Sequence, residues 1–357
     1  MTCRLEGMSL GMQWSRQLGL VLATGLGFGV IASLLVEWGN PPNMGFCIAC
    51  FLRDITGSLG LHDKVHYLRP EPVGLVLGAF IAAFAFGEFR SRGGSSPLVR
   101  FLLGVFIMIG ALVFLGCPVR ALLRLAGGDL NGLTALAGII CGVLVGIYLL
   151  KRGFNLGRAT RTFTISGWIM PVLMVGVILL AIFIPWFIDQ ENRAAHAAPA
   201  VSLLAGIGVG FLAQRTRLCF VGGWRDLFLI RDVHLFAGIA AFFVAALICN
   251  LALGHVTWGF VGQPIAHDDH LWNFLSMALV GLGATLLGGC PLRQLILSGE
   301  GDADAGVTVL GLIVGAAFAH NFFLASSPGG VSDWGPVAVI AGFAFVFAVG
   351  FLMREDV

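Results

Sequence analysis

Apolar runs long enough to cross about 30 Å of hydrocarbon recur from one end of the chain to the other. They cover residues 17–36, 73–89, 98–116, 133–150, 163–188, 201–213 (beginning near Ala197), 233–253, 271–289, 306–324 and 336–353. This pattern predicts about ten transmembrane helices. Four further stretches, 44–58, 118–127, 218–230 and 291–298, are too short or too polar to span. Each opens at or near a cysteine. Pro118 and Pro291 fall where a helix accepts proline, in its first turn. Gly127-Gly128-Asp129 and Gly299-Glu300-Gly301-Asp302 end the helices they begin. The four stretches read as re-entrant half-helices, whose irregular backbone is tolerated at membrane depth only where protein or a cavity covers it.

The cysteine stretches are also a repeat. Gly116-Cys117-Pro118-Val119-Arg120 returns as Gly289-Cys290-Pro291-Leu292-Arg293, an offset of 173 residues. Cys47 stands six residues before Arg53-Asp54, and Cys219 six before Arg225-Asp226, an offset of 172. The expected organisation is a first repeat over residues 1–157 and a connecting span in 158–195. A second repeat follows over 196–325, then a final span and tail over 326–357. Each repeat holds four spans, and one extra span separates the copies. That odd crossing turns the second copy over, so the fold class is an all-α polytopic membrane protein built as an inverted repeat, with its cysteine half-helices entering from opposite faces toward the midplane.

Composition agrees with a membrane protein. The chain is 58% hydrophobic and 11% charged, against about 25% charged in soluble domains, with a mean hydropathy of +0.93. The net charge of +2 and the lack of a basic tract leave nothing for nucleic acid. The first residues lack the apolar core and cleavage site of a signal peptide, so the first run is expected to stay in the membrane. Several of the eight cysteines lie in apolar runs, which favours free thiols over disulfides. Cys3, Cys141 and Cys249 read as small hydrophobes. With the N-terminus inside, fifteen Lys or Arg fall on the cytoplasmic side and six (Arg53, Lys64, Arg69, Arg120, Arg124 and Arg193) outside. That bias places both termini in the cytoplasm.

The candidate chemistry centres on Cys117 and Cys290, with Cys219 and Cys47 expected nearer the mouths and Cys50 beside Cys47. A thiol is a weak donor and a weak, polarisable acceptor. It suits a large soft anion and releases it as readily as it binds it. Helices beginning at Pro118 and Pro291 would add free N–H groups and a partial positive charge. Arg120, Arg124 and Arg293 either attract an anion or pin the turns by pairing with Asp129, Asp302 or helix-end carbonyls. Arg53-Asp54 and Arg225-Asp226 read as self-neutralising structural pairs. Cys47-Ile48-Ala49-Cys50 has the spacing of a zinc half-site or a redox dithiol, but a zinc site lacks two further ligands. No metal or cofactor is expected, and His267-Asp268-Asp269-His270 reads as a solvated loop. Glu37 and Glu88, at span ends, are the candidates for ion coupling.

The paired Gly-Cys-Pro-x-Arg turns, with Arg217-Leu218-Cys219-Phe220 and Gly45-Phe46-Cys47, resemble the YeeE/YedE family of sulfur-transport membrane proteins. The stretch from Gly45 to Asp54 is most similar to its YedE branch, associated with selenium metabolism. The resemblance implies an hourglass-shaped permease of the bacterial inner membrane. In it, cysteines at the constriction pass a small sulfur- or selenium-containing anion, such as thiosulfate, into the cytoplasm. It also implies a small cytoplasmic sulfur carrier of the TusA type as a partner. Cys50 and the polar insertion 62–71 depart from the thiosulfate branch. Two other classes stand beside the permease: a membrane thiol enzyme relaying persulfide or electrons, and a docking scaffold for a sulfur carrier.

Overall fold

A computed structural model of the chain describes residues 2–184 and 194–354, with side chains from residue 15 onward. Arg193 and the end of the fifth predicted span lie outside the described residues, as do the side chains of Cys3 and Arg4. Among the described residues are ten long helices: α1 (Thr2–Glu37), α3 (Pro70–Ala85), α4 (Pro97–Phe114), α6 (Asn131–Lys151), α7 (Thr164–Phe183), α8 (Pro199–Thr216), α10 (His234–Leu253), α11 (His270–Leu286), α13 (Ala303–Asn321) and α14 (Gly335–Leu352). Four short helices interleave with them: α2 (Ile48–Ser58), α5 (Pro118–Ala126), α9 (Gly222–Leu229) and α12 (Pro291–Gly299). Eight apolar helical stretches among the described residues are long enough to cross a membrane. Two of these, Pro97–Ala126 and His270–Gly299, run through a cysteine turn. The chain is therefore an all-α polytopic integral membrane protein. Among the described residues the strands are β1 (Arg92–Gly93) and β2 (Thr160–Arg161), a two-residue antiparallel pair.

Glycine sets the packing. With little hydrophobic drive between helices in lipid, close backbone approach and dispersion hold them together. A Cβ on Gly142 of α6 would lie 2.0 Å from Ala278 O of α11, and one on Gly311 of α13 would lie 2.1 Å from Phe101 O of α4. Gly25 of α1 meets Gly238 of α10, and Gly78 of α3 meets Ile207 of α8, in the same way. Within each of these pairs contacts advance together along the sequence, so the two helices run parallel: Gly138 and Gly142 face Phe274 and Ala278, and Gly25 and Gly29 face Gly238 and Phe242.

These four pairs join members of one repeat to the other. By offset α4 corresponds to α11 and α6 to α13, so α6·α11 and α4·α13 exchange under one operation, as do α1·α10 and α3·α8. The helices α4 and α11 themselves pack antiparallel, Gly110 against Ser276 and Gly283 against Ile107. Corresponding helices running in opposite directions across a shared contact are what an inverted two-fold requires.

The loops gather at two faces. The β1–β2 pair marks one, the hairpin face, where Arg92 bonds Asp302 and Gly94 N bonds Asp304. The far face joins Asn40 to Ala197, Gly128 to Thr257 and His255 to Glu37. Loops expected to be solvated are in part buried there. His62 and His267 are each 3% exposed, because each ring bridges its loop to another element.

Candidate functional site

The helix N-termini carry the thiols inward. Cys47, Cys117 and Cys290 are the N-cap residues of α2, α5 and α12, each in extended backbone just before the first helical turn. The α5 and α12 helices start with the proline that follows the cysteine, so the N–H proline lacks is one of the orphans of the first turn. From these caps α2 and α5 run toward the far face and α12 toward the hairpin face. Their N-terminal ends therefore converge inside the molecule.

Two thiol groups result. In the first, Cys47 Sγ lies 3.0 Å from Cys50 Sγ and 3.9 Å from Cys117 Sγ. In the second, Cys219 Sγ accepts the backbone N–H of Cys290 at 3.4 Å and that of Gly222 at 3.2 Å. All five cysteines are buried. Cys47 and Cys219, expected nearer the mouths, instead join the other cysteines, because the loops before α2 and α9 dip into the bundle. Cys141 is exposed and Cys249 half-buried on the outside of the bundle.

Between the groups sits an aromatic cluster that the sequence pattern did not single out. Phe46 precedes Cys47 and Phe220 follows Cys219, and the Phe28 ring lies 5.0 Å from the first and 5.9 Å from the second. Phe242 closes the cluster at 4.9 Å from both Phe28 and Phe220. The four rings are at most 1% exposed. Phe28 on α1 and Phe242 on α10 look like ordinary core packing in a linear sequence, and only the fold places them at the two cysteine loops.

Cavities reach toward the thiols from either face. The far-face cavity, of about 330 Å³, includes Glu37, Asn40, Asn43, Gly45 and His255 and ends on the segment before Cys47. Two hairpin-face cavities of about 430 and 340 Å³ share Glu88, Gln214 and Arg217, and Arg217 stands two residues before Cys219. The smaller of these also carries Arg90, Arg92 and Arg293.

The arginines of the two turns differ. Arg120 is fully buried. Its Nε donates to Asn43 O at 3.1 Å and its Nη2 to Ile265 O at 3.0 Å, while Nη1 donates to Leu115 O and, at 3.3 Å, to Cys50 Sγ. Leu115 needs that support, since it takes a left-handed conformation (φ +65°) where the second repeat has Gly288 (φ +81°). Arg124 bonds Asp129 at 2.5 Å and Phe114 O at 2.8 Å, and stacks on the Phe114 ring. Arg293 instead bonds Glu300 at 3.0 Å and borders a cavity; Asp302 goes to Arg92. Pinning contacts thus surround Arg120 and Arg124, and Arg293 is the turn arginine that faces open space.

Arg53 and Asp54 pair at 2.5 Å, as do Arg225 and Asp226 at 2.8 Å. The first pair belongs to a larger network. Arg69, counted from sequence as a loop charge, is fully buried and donates to Asp54 at 2.8 Å, Asn40 Oδ1 at 3.2 Å and Ala195 O at 2.9 Å. Among the described residues no group of three or more His, Cys, Asp or Glu is disposed to hold a metal.

A helical membrane protein with corresponding helices packed antiparallel and buried thiols at convergent helix N-termini defines the class. Residues 215–353 match the family model described as sulphur transport. The probable transporter YedE of Escherichia coli is 22% identical over 147 residues, 40% of this chain and 35% of that protein. The thiosulfate transporter TsuA of Escherichia coli is 27% identical over 99 residues, 28% of each chain. YedE of Salmonella typhimurium is 23% identical over 148 residues. The matched segments span about a third of the relatives' length.

Proposed function

We propose that the protein is a permease, not an enzyme, that moves a small sulfur-containing anion of the thiosulfate class across the bacterial inner membrane into the cytoplasm. Both termini are cytoplasmic in this reading, so the hairpin face is the inner one. The observation that carries it is the pair of buried thiol groups at inward-pointing helix N-termini, with a cavity approaching each from its own face. The match of residues 215–353 to the sulphur transport family model, and a relative named for thiosulfate transport, support the cargo class.

Mechanistically, an anion leaving water needs charge compensation without a trap. The first-turn N–H groups and partial positive charge of the α2, α5 and α12 N-termini supply the first. The thiols supply soft contacts that release as readily as they bind. The anion passes from Cys47, Cys50 and Cys117 to Cys219 and Cys290, and the aromatic cluster about Phe28 must move for it to do so. Arg293, with Arg217, Arg90 and Arg92, draws it to the inner mouth. Arg120 and Arg124, by contrast, hold the α5 turn in place. Release to a separate TusA-like carrier fits an arginine-lined exit.

The test is uptake of radiolabelled thiosulfate, with selenite measured in parallel, into proteoliposomes holding wild type, Cys117→Ala or Cys290→Ala. Thiosulfate flux in the wild type, lost in either variant at unchanged thermal stability, is the expected result. Selenite flux alone would move the cargo to selenium. Flux surviving both substitutions would overturn the thiol path, and absence of wild-type flux would favour the thiol-enzyme or scaffold classes.

A further inference from the structure

The two thiol groups are not equivalent. The first has a third member, Cys50, and at the matching offset of 172 the second repeat has Gly222. A side chain there has little space: a Cβ on Gly222 would meet Cys219 Cβ at 3.0 Å and its Sγ at 3.2 Å. In the first repeat the space exists and a thiol fills it, 3.0 Å from its neighbour. Cys50 adds nothing to the symmetry of a path. It adds a vicinal dithiol.

We propose that Cys47 and Cys50 are a redox modification site: a pair that closes reversibly to a disulfide and thereby switches off the far-face thiol group. Three features of the pair carry this. The residues are three apart at a helix N-terminus, the first capping it in extended backbone (φ −126°, ψ 109°) and the second in its first turn, an arrangement in which both sulfurs reach the same side. Closing them from 3.0 Å to a bond of about 2.05 Å requires a shift of about 1 Å. Each sulfur also has a polar N–H neighbour: Cys47 Sγ accepts the Cys50 N–H at 3.4 Å, and Arg120 Nη1 lies 3.3 Å from Cys50 Sγ.

The oxidant is a small hydroperoxide; the far-face cavity is lined by Gly45, two residues before Cys47. One thiol takes a hydroxyl from hydrogen peroxide to become a sulfenic acid, releasing one water. The other thiol attacks that sulfur, the S–S bond forms and the hydroxyl leaves with the second proton as another water. Two electrons pass from the pair to the O–O bond. A dithiol reductant reverses the change by thiol–disulfide exchange. While the bond stands, Cys47 has no S–H to offer Cys117 or an anion. This consequence rests on the permease reading; formation of the bond does not.

Two measurements test the site. Purified wild type is treated with hydrogen peroxide, alkylated and digested after Lys and Arg, which puts Cys47 and Cys50 in one peptide. The expected product is that peptide lacking two hydrogens and unalkylated until reduced. Full alkylation of both residues, or a Cys47–Cys117 cross-link in its place, would overturn the proposal. In proteoliposomes, wild-type uptake should fall to background after peroxide and return with dithiothreitol. Cys50→Ala should give one rate before and after peroxide, whatever its starting rate. A Cys50→Ala protein that peroxide still inhibits, or a wild type that forms the bond yet keeps its rate, would also overturn it. If the reduced wild type moves no anion, the permease reading has failed, and the peptide mapping alone decides the site.

Discussion

Arg120 and Cys50 lie in contact, guanidinium to sulfur, at 3.3 Å. They come from different short helices, and the same guanidinium holds the carbonyls of Leu115, Asn43 and Ile265. Four acceptors on one planar fork fix the α5 turn, the loop before α2 and the 254–269 loop around the first thiol group. A lysine has one compact ammonium and cannot reach all of them. Each buried carbonyl left without a donor costs about 1–3 kcal/mol.

Arg120→Lys should therefore lower the melting temperature in detergent, and Arg120→Ala should lower it further. Arg293→Lys, which replaces a partner of Glu300 beside a cavity, should leave it nearly unchanged. Equal melting temperatures for wild type and Arg120→Lys would show that the pinning role is wrong.

The reciprocal helix pairs make a second prediction. Gly138→Ala pushes a methyl onto Phe274 O, and Gly311→Ala pushes one onto Phe101 O, at nearly the same distance. Overpacking of this kind costs about 1–3 kcal/mol, and because the inverted two-fold interchanges the two contacts, the losses should match. Gly176→Ala on α7, where a Cβ has no neighbour within 4 Å, is the neutral control. Unequal losses, or a control that falls with them, would break the symmetry argument.

Much of this architecture is legible in the chain itself. Length and apolarity mark the ten long helices, and cysteine followed by proline marks where α5 and α12 begin, because both signals are local. The inversion follows from counting spans, which requires no contact information. What depends on the fold is hidden. Arg69 looks like a loop charge, yet Asp54, Asn40 and Ala195, up to 126 residues away, satisfy it in the interior. Cys47 and Cys219 look like mouth residues because nothing in the loops before α2 and α9 states how deeply they dip. Phe28 and Phe242 look like any core aromatics on a membrane helix.

Glu88, a candidate for ion coupling, is placed against that role. Its carboxylate accepts from Gln214 at 2.8 Å and pairs with Arg215 at 2.9 Å on the hairpin face. The Gln214 hydrogen bond first, and then Arg215, hold it below the ordinary carboxylate range. The group therefore stays ionised at neutral pH, and any stability it contributes is present above about pH 4.3 and lost as pH falls below that. Glu88→Gln should leave the dependence of uptake on pH between about 6 and 8 unaltered. A flattened profile in that variant would restore Glu88 as a proton carrier.

The far-face histidines predict an acid sensitivity. His267 Nδ1 accepts the Asp269 N–H at 3.3 Å, so Nε2 carries the proton and donates to Val113 O at 2.8 Å, tying the 254–269 loop to the end of α4. His62 repeats the arrangement, with Nδ1 accepting from Lys64 N at 3.3 Å and Nε2 bonding Arg53 O at 3.0 Å. Burial pushes both imidazoles below their usual range, more than the carbonyl each one bonds raises them. The folded state thus binds fewer protons than the unfolded chain, where histidine titrates near about 6.5. The stabilising contribution is complete above that pH and is lost as pH falls through it. Protonation would also break the Nδ1 contacts, freeing both loops. Melting temperature should drop between about pH 7 and pH 5, less steeply in His267→Gln, which keeps a donor for Val113 O without a titrating group, and least in His267→Gln with His62→Gln. Three parallel profiles would mean that these histidines do not govern the acid response.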